Sequence, residues 1–157
     1  MIESQKKTIE WGIIGAGRIA QTFATDIQYA GNASLQGIAS RQVDPAKAFA
    51  EEFSVPNYYG SYAAMLADPA IDAVYIATPH SHQRDQSIAA LNAGKHVLCE
   101  KPATVTGAEL EDVITVAKQQ GRYFMEGMWT YFMPVIQKTK RWVEEGRIGQ
   151  LCHVKAD

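Results

Sequence analysis

Short apolar runs alternate along this chain with stretches in which apolar residues recur every three or four positions. The run "WGIIG" (11 to 15) passes at once into "RIAQTFATDIQYA", where Ile19, Phe23, Ile27 and Tyr29 or Ala30 return at helical spacing. That pattern predicts a strand, a glycine turn and a helix. "SLQGIAS" (34 to 40) predicts a second strand, and Asp44-Pro45 an N-cap and first-turn proline for a helix through "AKAFAEEF". "NYYG" reads as a short strand, "YAAMLADP" as a short helix stopped by Pro69, and "DAVYIAT" (72 to 78) as a nearly continuous apolar run suited to a central parallel strand. "HQRDQSIAALNAG" predicts a helix ended by Gly94, since a left-handed C-terminal residue costs glycine least. "KHVLCE" is the next strand, and Thr106 with Glu109 forms a capping box for "GAELEDVITVAKQQ", which stops at Gly121. "RYFMEG", "VIQKTKRWVEEG" and "GQLCHVKAD" continue as strand, helix and the start of a strand. Strands separated by helical patterns throughout argue for an α/β fold with a doubly wound parallel sheet.

Composition narrows the picture. A chain of 157 residues, 46% of them hydrophobic, suffices for one well-formed core. A formal charge of -2, with Lys and Arg scattered among Asp and Glu, offers no basic stripe and argues against nucleic acid as a partner. No run approaches the ~20 apolar residues of a membrane span, and the basic N-terminus is followed by no signal-like stretch. The expectation is a cytoplasmic protein with no membrane partner. Cys99 and Cys152 sit in apolar surroundings and are expected to be buried free thiols. His80 and His82 lack a third ligand, so no metal site is expected; His96 and His153 lie amid strand residues and read as structural.

The chemistry concentrates where predicted strands end. "GIIGAGRIA" places Gly15, Gly17 and Ala20 as G-x-G-x-x-A between a strand and a helix, a dinucleotide-binding signature of Rossmann-type folds. Gly15 permits the tight turn, Gly17 lets the backbone approach a pyrophosphate, and Ala20 is small enough for the helix to pack on the sheet. Gly15, Ala16, Gly17, Arg18 and Ile19 are therefore candidate cofactor contacts at a helix N-terminus. The second strand runs into Ser40-Arg41 rather than an acid, which favours the 2'-phosphate of NADP, with NAD as the alternative through Asp44. Thr78, Pro79 and His82, at the end of the fourth strand, are placed to line the crevice. At the end of the fifth strand stand Glu100, Lys101 and Pro102. Taken alone they read as a surface Glu-Lys pair before a loop proline. At this sheet edge an ammonium can also hydrogen-bond an oxygen whose charge changes during hydride transfer, and Glu100 can hold it or touch the nicotinamide.

In order and spacing, "GIIGAGRIA", "ASR", "ATPHSHQ", "AGKHVLCEKP" and "EGMWTYFMPV" resemble the glucose-fructose oxidoreductase, inositol dehydrogenase and MocA family over nearly the whole chain. The "EGMWTYFMP" run looks most like the branch with dimeric dihydrodiol dehydrogenase and NADP-dependent sugar dehydrogenases. The resemblance implies a catalytic Lys101 beside the nicotinamide, a cis Lys101-Pro102 bond, and a substrate wall from Trp129, Tyr131 and Phe132, residues that on spacing alone serve equally well as core. It implies a small-molecule sugar, polyol or cyclic diol as substrate, and homo-oligomers of the full-length protein. It also implies that residues 1 to 148 form the dinucleotide-binding domain and that 149 to 157 open a substrate domain. The chain by itself is then expected to lack turnover, with its last strand disordered or paired with a second molecule. A non-catalytic dinucleotide sensor would use the same glycine turn but has no need of Lys101. A methyltransferase would carry an acid where Ser40-Arg41 stands.

Overall fold

The computed structural model describes residues 8 to 155. Six strands, β1 (Ile9–Ile14), β2 (Ala33–Ala39), β3 (Asn57–Tyr59), β4 (Ala73–Ile76), β5 (His96–Cys99) and β6 (Phe124–Glu126), form one sheet in the order β3-β2-β1-β4-β5-β6. Every pairing is parallel. The helices between them are α1 (Arg18–Asp26), α2 (Val43–Phe53), α3 (Tyr62–Leu66), α4 (His80–Asn92) and α5 (Gly107–Gln120). The chain builds outward from β1 to β3, then returns to place β4 on the other side of β1. That reversal opens a crevice at the carboxyl ends of β1 and β4, where ligands bind in such sheets.

Each face of the sheet has its own core. On one, Ile13, Ile38 and Tyr75 pack with Ala20 and Ala24 of α1 and Phe49 and Ala50 of α2. On the other, Ile14, Val74, Ile76, Val97 and Cys99 pack with Met65, Leu91 and Val113. Gly12 and Gly37 face each other in register, and a methyl on Gly12 would lie 2.9 Å from Met65 Sδ. These two glycines are the notch that seats α3.

Several local expectations are corrected. The buried face of α1 and the turn after it is Ala20, Ala24 and Ile27, while Ile19 is 41% and Tyr29 81% exposed. Alanines bring the helix close to the sheet, Phe23 packs half-buried against the same core, and Ile19 and Tyr29 turn outward. Helix α2 begins one residue before Asp44, with Gln42 at its N-cap, so Asp44 acts from within the first turn on the helix dipole. Helix α4 begins at His80, not His82, with Pro79 at the N-cap. Thr106 accepts from the Glu109 N–H at 3.3 Å, but the Glu109 carboxylate reaches back to the Val105 N–H at 2.9 Å rather than to Thr106 itself. Cys99 is buried and Cys152 exposed. Gly94 and Gly121 are left-handed at φ 77° and 61°, as expected of helix ends.

By contact the chain falls into two compact units, Met1–Gly127 and Met128–Asp157, so the expected border at 148 runs inside the second. The second unit holds a 3-10 turn (Trp129–Phe132) and α6 (Pro134–Glu144); residues 149 to 155 contain no strand, and His153 is exposed.

Candidate cofactor-binding site

Because all six strands run the same way, the residues that follow them share one edge of the sheet. Gly15 to Gly17 follow β1, Ser40 and Arg41 follow β2, Ala77 to Pro79 follow β4, and Glu100 to Pro102 follow β5. Gly15 has φ +97°, and a methyl there would lie 2.9 Å from Thr78 Cγ2 and 3.3 Å from the Ala77 carbonyl. Glycine is required on both counts. Its N–H donates to the Ala39 carbonyl at 2.9 Å, tying the turn to β2.

Gly17, at the N-cap of α1, is exposed, and a methyl there would meet no atom of the chain within 4 Å. No side chain caps this helix, and its first turn holds no acid. Its early N–H groups are thus left for an outside acceptor, and the open face of Gly17 suits one as broad as a pyrophosphate. The residues present fit a dinucleotide. Arg18 and Ile19 lie exposed in that first turn, with Ala16 half-buried beneath it.

Across the crevice, Thr78 is fixed twice. Its hydroxyl donates to the Gln86 side chain, and its carbonyl accepts from Gln83 Nε2 at 2.7 Å. Pro79 and His82 are exposed at the start of α4. Ser40 gives its N–H to the Tyr59 carbonyl at 3.1 Å, while Arg41 is exposed and pairs with no described carboxylate.

The loop after β5 is anchored at both ends. Glu100 Oε1 accepts from the Tyr75 hydroxyl at 2.6 Å, and Oε2 from the Lys101 N–H at 3.2 Å. Beyond the cis Lys101-Pro102 bond, which agrees with the expectation, the Ala103 N–H donates to Glu126 Oε1 at 2.9 Å. Between these anchors the Lys101 side chain is exposed. Burial, reinforced by the Glu100 carboxylate, pushes the Tyr75 phenol well up. Tyr75 therefore stays a donor across ordinary pH. Burial likewise raises the Cys99 thiol to about 12.

The sequence reading brought Gly15, Ala16, Gly17, Arg18, Ile19, Ser40, Arg41, Thr78, Pro79, His82, Glu100 and Lys101 to one sheet edge, and they stand there. Trp129, Tyr131 and Phe132 belong to the second unit, where each is at least half exposed. Tyr75, Gln83, Gln86 and Glu126, which hold the site residues, were missed. The available signal was a polar group inside an apolar run, at Tyr75 and at Glu126. No group of three His, Cys, Asp or Glu among the described residues is arranged to hold a metal, and no helix among them is long and apolar enough to cross a membrane.

A parallel sheet of this order, with a glycine turn at its first strand and basic residues at its edge, defines a dinucleotide-binding domain. The family model described as "Oxidoreductase family, NAD-binding Rossmann fold" (GFO_IDH_MocA) matches residues 9–128, and the chain belongs to that family. It is 36% identical over 151 residues to the trans-1,2-dihydrobenzene-1,2-diol dehydrogenase of Mus musculus, covering 95% of this chain and 45% of that enzyme. It is also 36% identical over 171 residues to the D-xylose 1-dehydrogenase (NADP(+)) of Hypocrea jecorina, covering 100% of this chain and 43% of that one. Among solved structures, scyllo-inositol dehydrogenase from Lactobacillus casei with bound NAD(H) and scyllo-inositol superposes with a TM-score of 0.84 at 32% identity, covering 92% of this chain and 43% of that one. The chain thus spans less than half the length of the relatives it matches.

Proposed function

We propose that this chain is the NADP-binding half of a dehydrogenase that acts on a hydroxyl group of a sugar, polyol or cyclic diol. The observation that carries the reading is Lys101, held between two anchored points at the same sheet edge as the Gly15–Gly17 cradle. A bound nicotinamide dinucleotide supplies the hydride acceptor or donor. The chain's own residues do the rest. Gly17 and the first turn of α1 receive the pyrophosphate, and Thr78 and Pro79 line the crevice. Arg41, paired with no described carboxylate, is available for bidentate contact with a 2'-phosphate, and the likeness to a D-xylose 1-dehydrogenase named for NADP(+) supports that choice over NAD. The Lys101 ammonium hydrogen-bonds the substrate oxygen and steadies the charge that develops there. Trp129, Tyr131 and Phe132 supply apolar surface to the substrate, and residues from 149 onward lead into a substrate domain that completes the site in a longer protein. The likeness of this chain to diol and sugar dehydrogenases supports that substrate class.

Calorimetric titration of the chain with NADPH and NADH tests the cofactor half of the reading: tighter NADPH binding is expected, and equal or absent binding would count against it. Lys101→Ala in the full-length protein tests the chemical half. Lost turnover with cofactor affinity kept is the expected result. Turnover unaffected by the change would favour a sensing role.

A further inference from the structure

Both oxygens of Glu100 are occupied by donors other than the ammonium beside it in sequence. Tyr75 takes one at 2.6 Å and the Lys101 backbone N–H the other at 3.2 Å. Lys101 forms no ion pair with any described residue. For adjacent acid and base on an exposed loop, pairing is the simple expectation, and the phenol is what displaces it. A charge-assisted hydrogen bond from a buried donor outweighs an exposed ion pair that must order a flexible lysine.

The phenol has little freedom to do otherwise. Tyr75 is 3% exposed, and its ring stacks on Phe23 with centroids 4.0 Å apart and 14° between planes. Trp11 packs edge-on against Phe23 with centroids 5.7 Å apart. Room for the carboxylate comes from Gly127, whose N–H donates to the Cys99 carbonyl at 2.6 Å. A methyl on Gly127 would stand 3.3 Å from Glu100 Oε1 and 3.2 Å from that carbonyl. The far end of the loop is fixed by Glu126 at the Ala103 N–H.

We propose that Tyr75 is a positioning residue for Lys101: its hydroxyl draws the Glu100 carboxylate inward and so keeps the Lys101 ammonium unpaired and available to a substrate oxygen. This rests on the role given to Lys101 above, but the arrangement itself is tested without substrate.

The experiment observes the side-chain 13Cε and 15Nζ signals of Lys101 in lysine-labelled chain, assigned by loss in Lys101→Arg. Tyr75→Phe keeps the ring stack and is expected to preserve the amide fingerprint while shifting the Lys101 signals, as the released carboxylate turns to the ammonium. Adding Glu100→Gln to that variant returns them to their parent positions, whereas Glu100→Gln alone leaves them in place. Unchanged Lys101 signals in folded Tyr75→Phe, or a shift that Glu100→Gln does not reverse, would overturn the proposal. A purely structural role for Tyr75 predicts that second pattern. If Tyr75→Phe does not fold, Gly127→Ala probes the same carboxylate: its methyl would stand 3.3 Å from Oε1, and a Lys101 shift that Glu100→Gln reverses is expected, whereas a Lys101 shift that Glu100→Gln leaves in place would overturn the proposal. NADPH affinity is measured in parallel: a parent chain that binds no NADPH counts against the functional reading, while the Lys101 signals still decide the positioning.

Discussion

Gly15 and Gly17 stand two residues apart in one turn and respond oppositely to an added methyl. At Gly17 the backbone is ordinary, φ -88°, and the methyl meets nothing of the chain within 4 Å. Alanine is a poorer N-cap than glycine by roughly 0.5–1 kcal/mol. Losing glycine's extra freedom in the unfolded chain returns about 0.4–1 kcal/mol. The two nearly cancel, so Gly17→Ala leaves stability within ~0.5 kcal/mol of the parent. Gly15→Ala differs in kind. Its φ of +97° is a region that side chains rarely adopt, at a cost of about 1–3 kcal/mol. Its methyl also presses on Thr78 Cγ2 at 2.9 Å, and Thr78 cannot yield easily because Gln83 and Gln86 hold it. Overpacking of this sort adds roughly 1–3 kcal/mol, for a total of about 2–6 kcal/mol. Urea unfolding with an unchanged m-value measures both. Calorimetry then separates fold from function: folded Gly17→Ala should lose at least tenfold in NADPH affinity, about 1.4 kcal/mol, because its methyl occupies the space assigned to the pyrophosphate. Parent-like NADPH binding by Gly17→Ala refutes the cradle, and a fully stable Gly15→Ala refutes the strain argument.

Three further outcomes are expected. Arg41→Ala removes a charge-assisted contact worth about 1.5–3 kcal/mol, so NADPH should bind roughly 10 to 150 times more weakly with NADH unaffected; an equal loss for both would show that Arg41 does not read the 2'-phosphate. His96 Nδ1 accepts the Tyr123 N–H at 3.0 Å, and burial, assisted by the charge of Arg122, holds the imidazole below its ordinary 6.5. The unfolded chain therefore takes up this proton first, and stability is lost as pH falls from 6.5 through the folded value. Unfolding midpoints between pH 7.5 and 5 should fall less steeply in His96→Gln, and an identical slope would exclude this contribution. With Cys99 buried and its thiol raised to about 12, only the exposed Cys152 should react quickly with a disulfide reagent at pH 8, the second thiol appearing on unfolding; two fast thiols would contradict the packing around Cys99.

The order of elements was legible because each strand is an apolar run closed by a polar or glycine turn, and each helix has its own stop, as at Gly94 and Gly121. What the pattern misjudged were faces and first residues. Ile19 is exposed although it is one of the large apolar positions of α1, while Ala20 and Ala24 are buried and Phe23 packs half-buried beside them, because closeness to the sheet outweighs side-chain size there. Asp44-Pro45 resembles a cap, but a first turn tolerates proline at more than one position, since several of its N–H groups lack partners in any case. Such one-residue ambiguities leave the topology untouched and the strand ends in place, which is why the candidate site could be listed from the ends alone.

The supporting residues were harder to read, because their partners are remote in sequence. Tyr75 and Glu100 are 25 residues apart, and nothing local to "DAVYIAT" says where its hydroxyl must go. A phenol inside an otherwise aliphatic central strand nonetheless demands a partner, since a buried donor left unmade is costly. Strand parity then limits the choice. Tyr75 lies opposite Leu98 in the β4–β5 register, paired residues of neighbouring strands share a face, and two steps beyond Leu98 on that face is Glu100. The missing quantity was the register alone. Once β4 and β5 are aligned, the carboxylate before Lys101 is the acceptor that the Tyr75 hydroxyl finds, and the lysine is left free at the sheet edge.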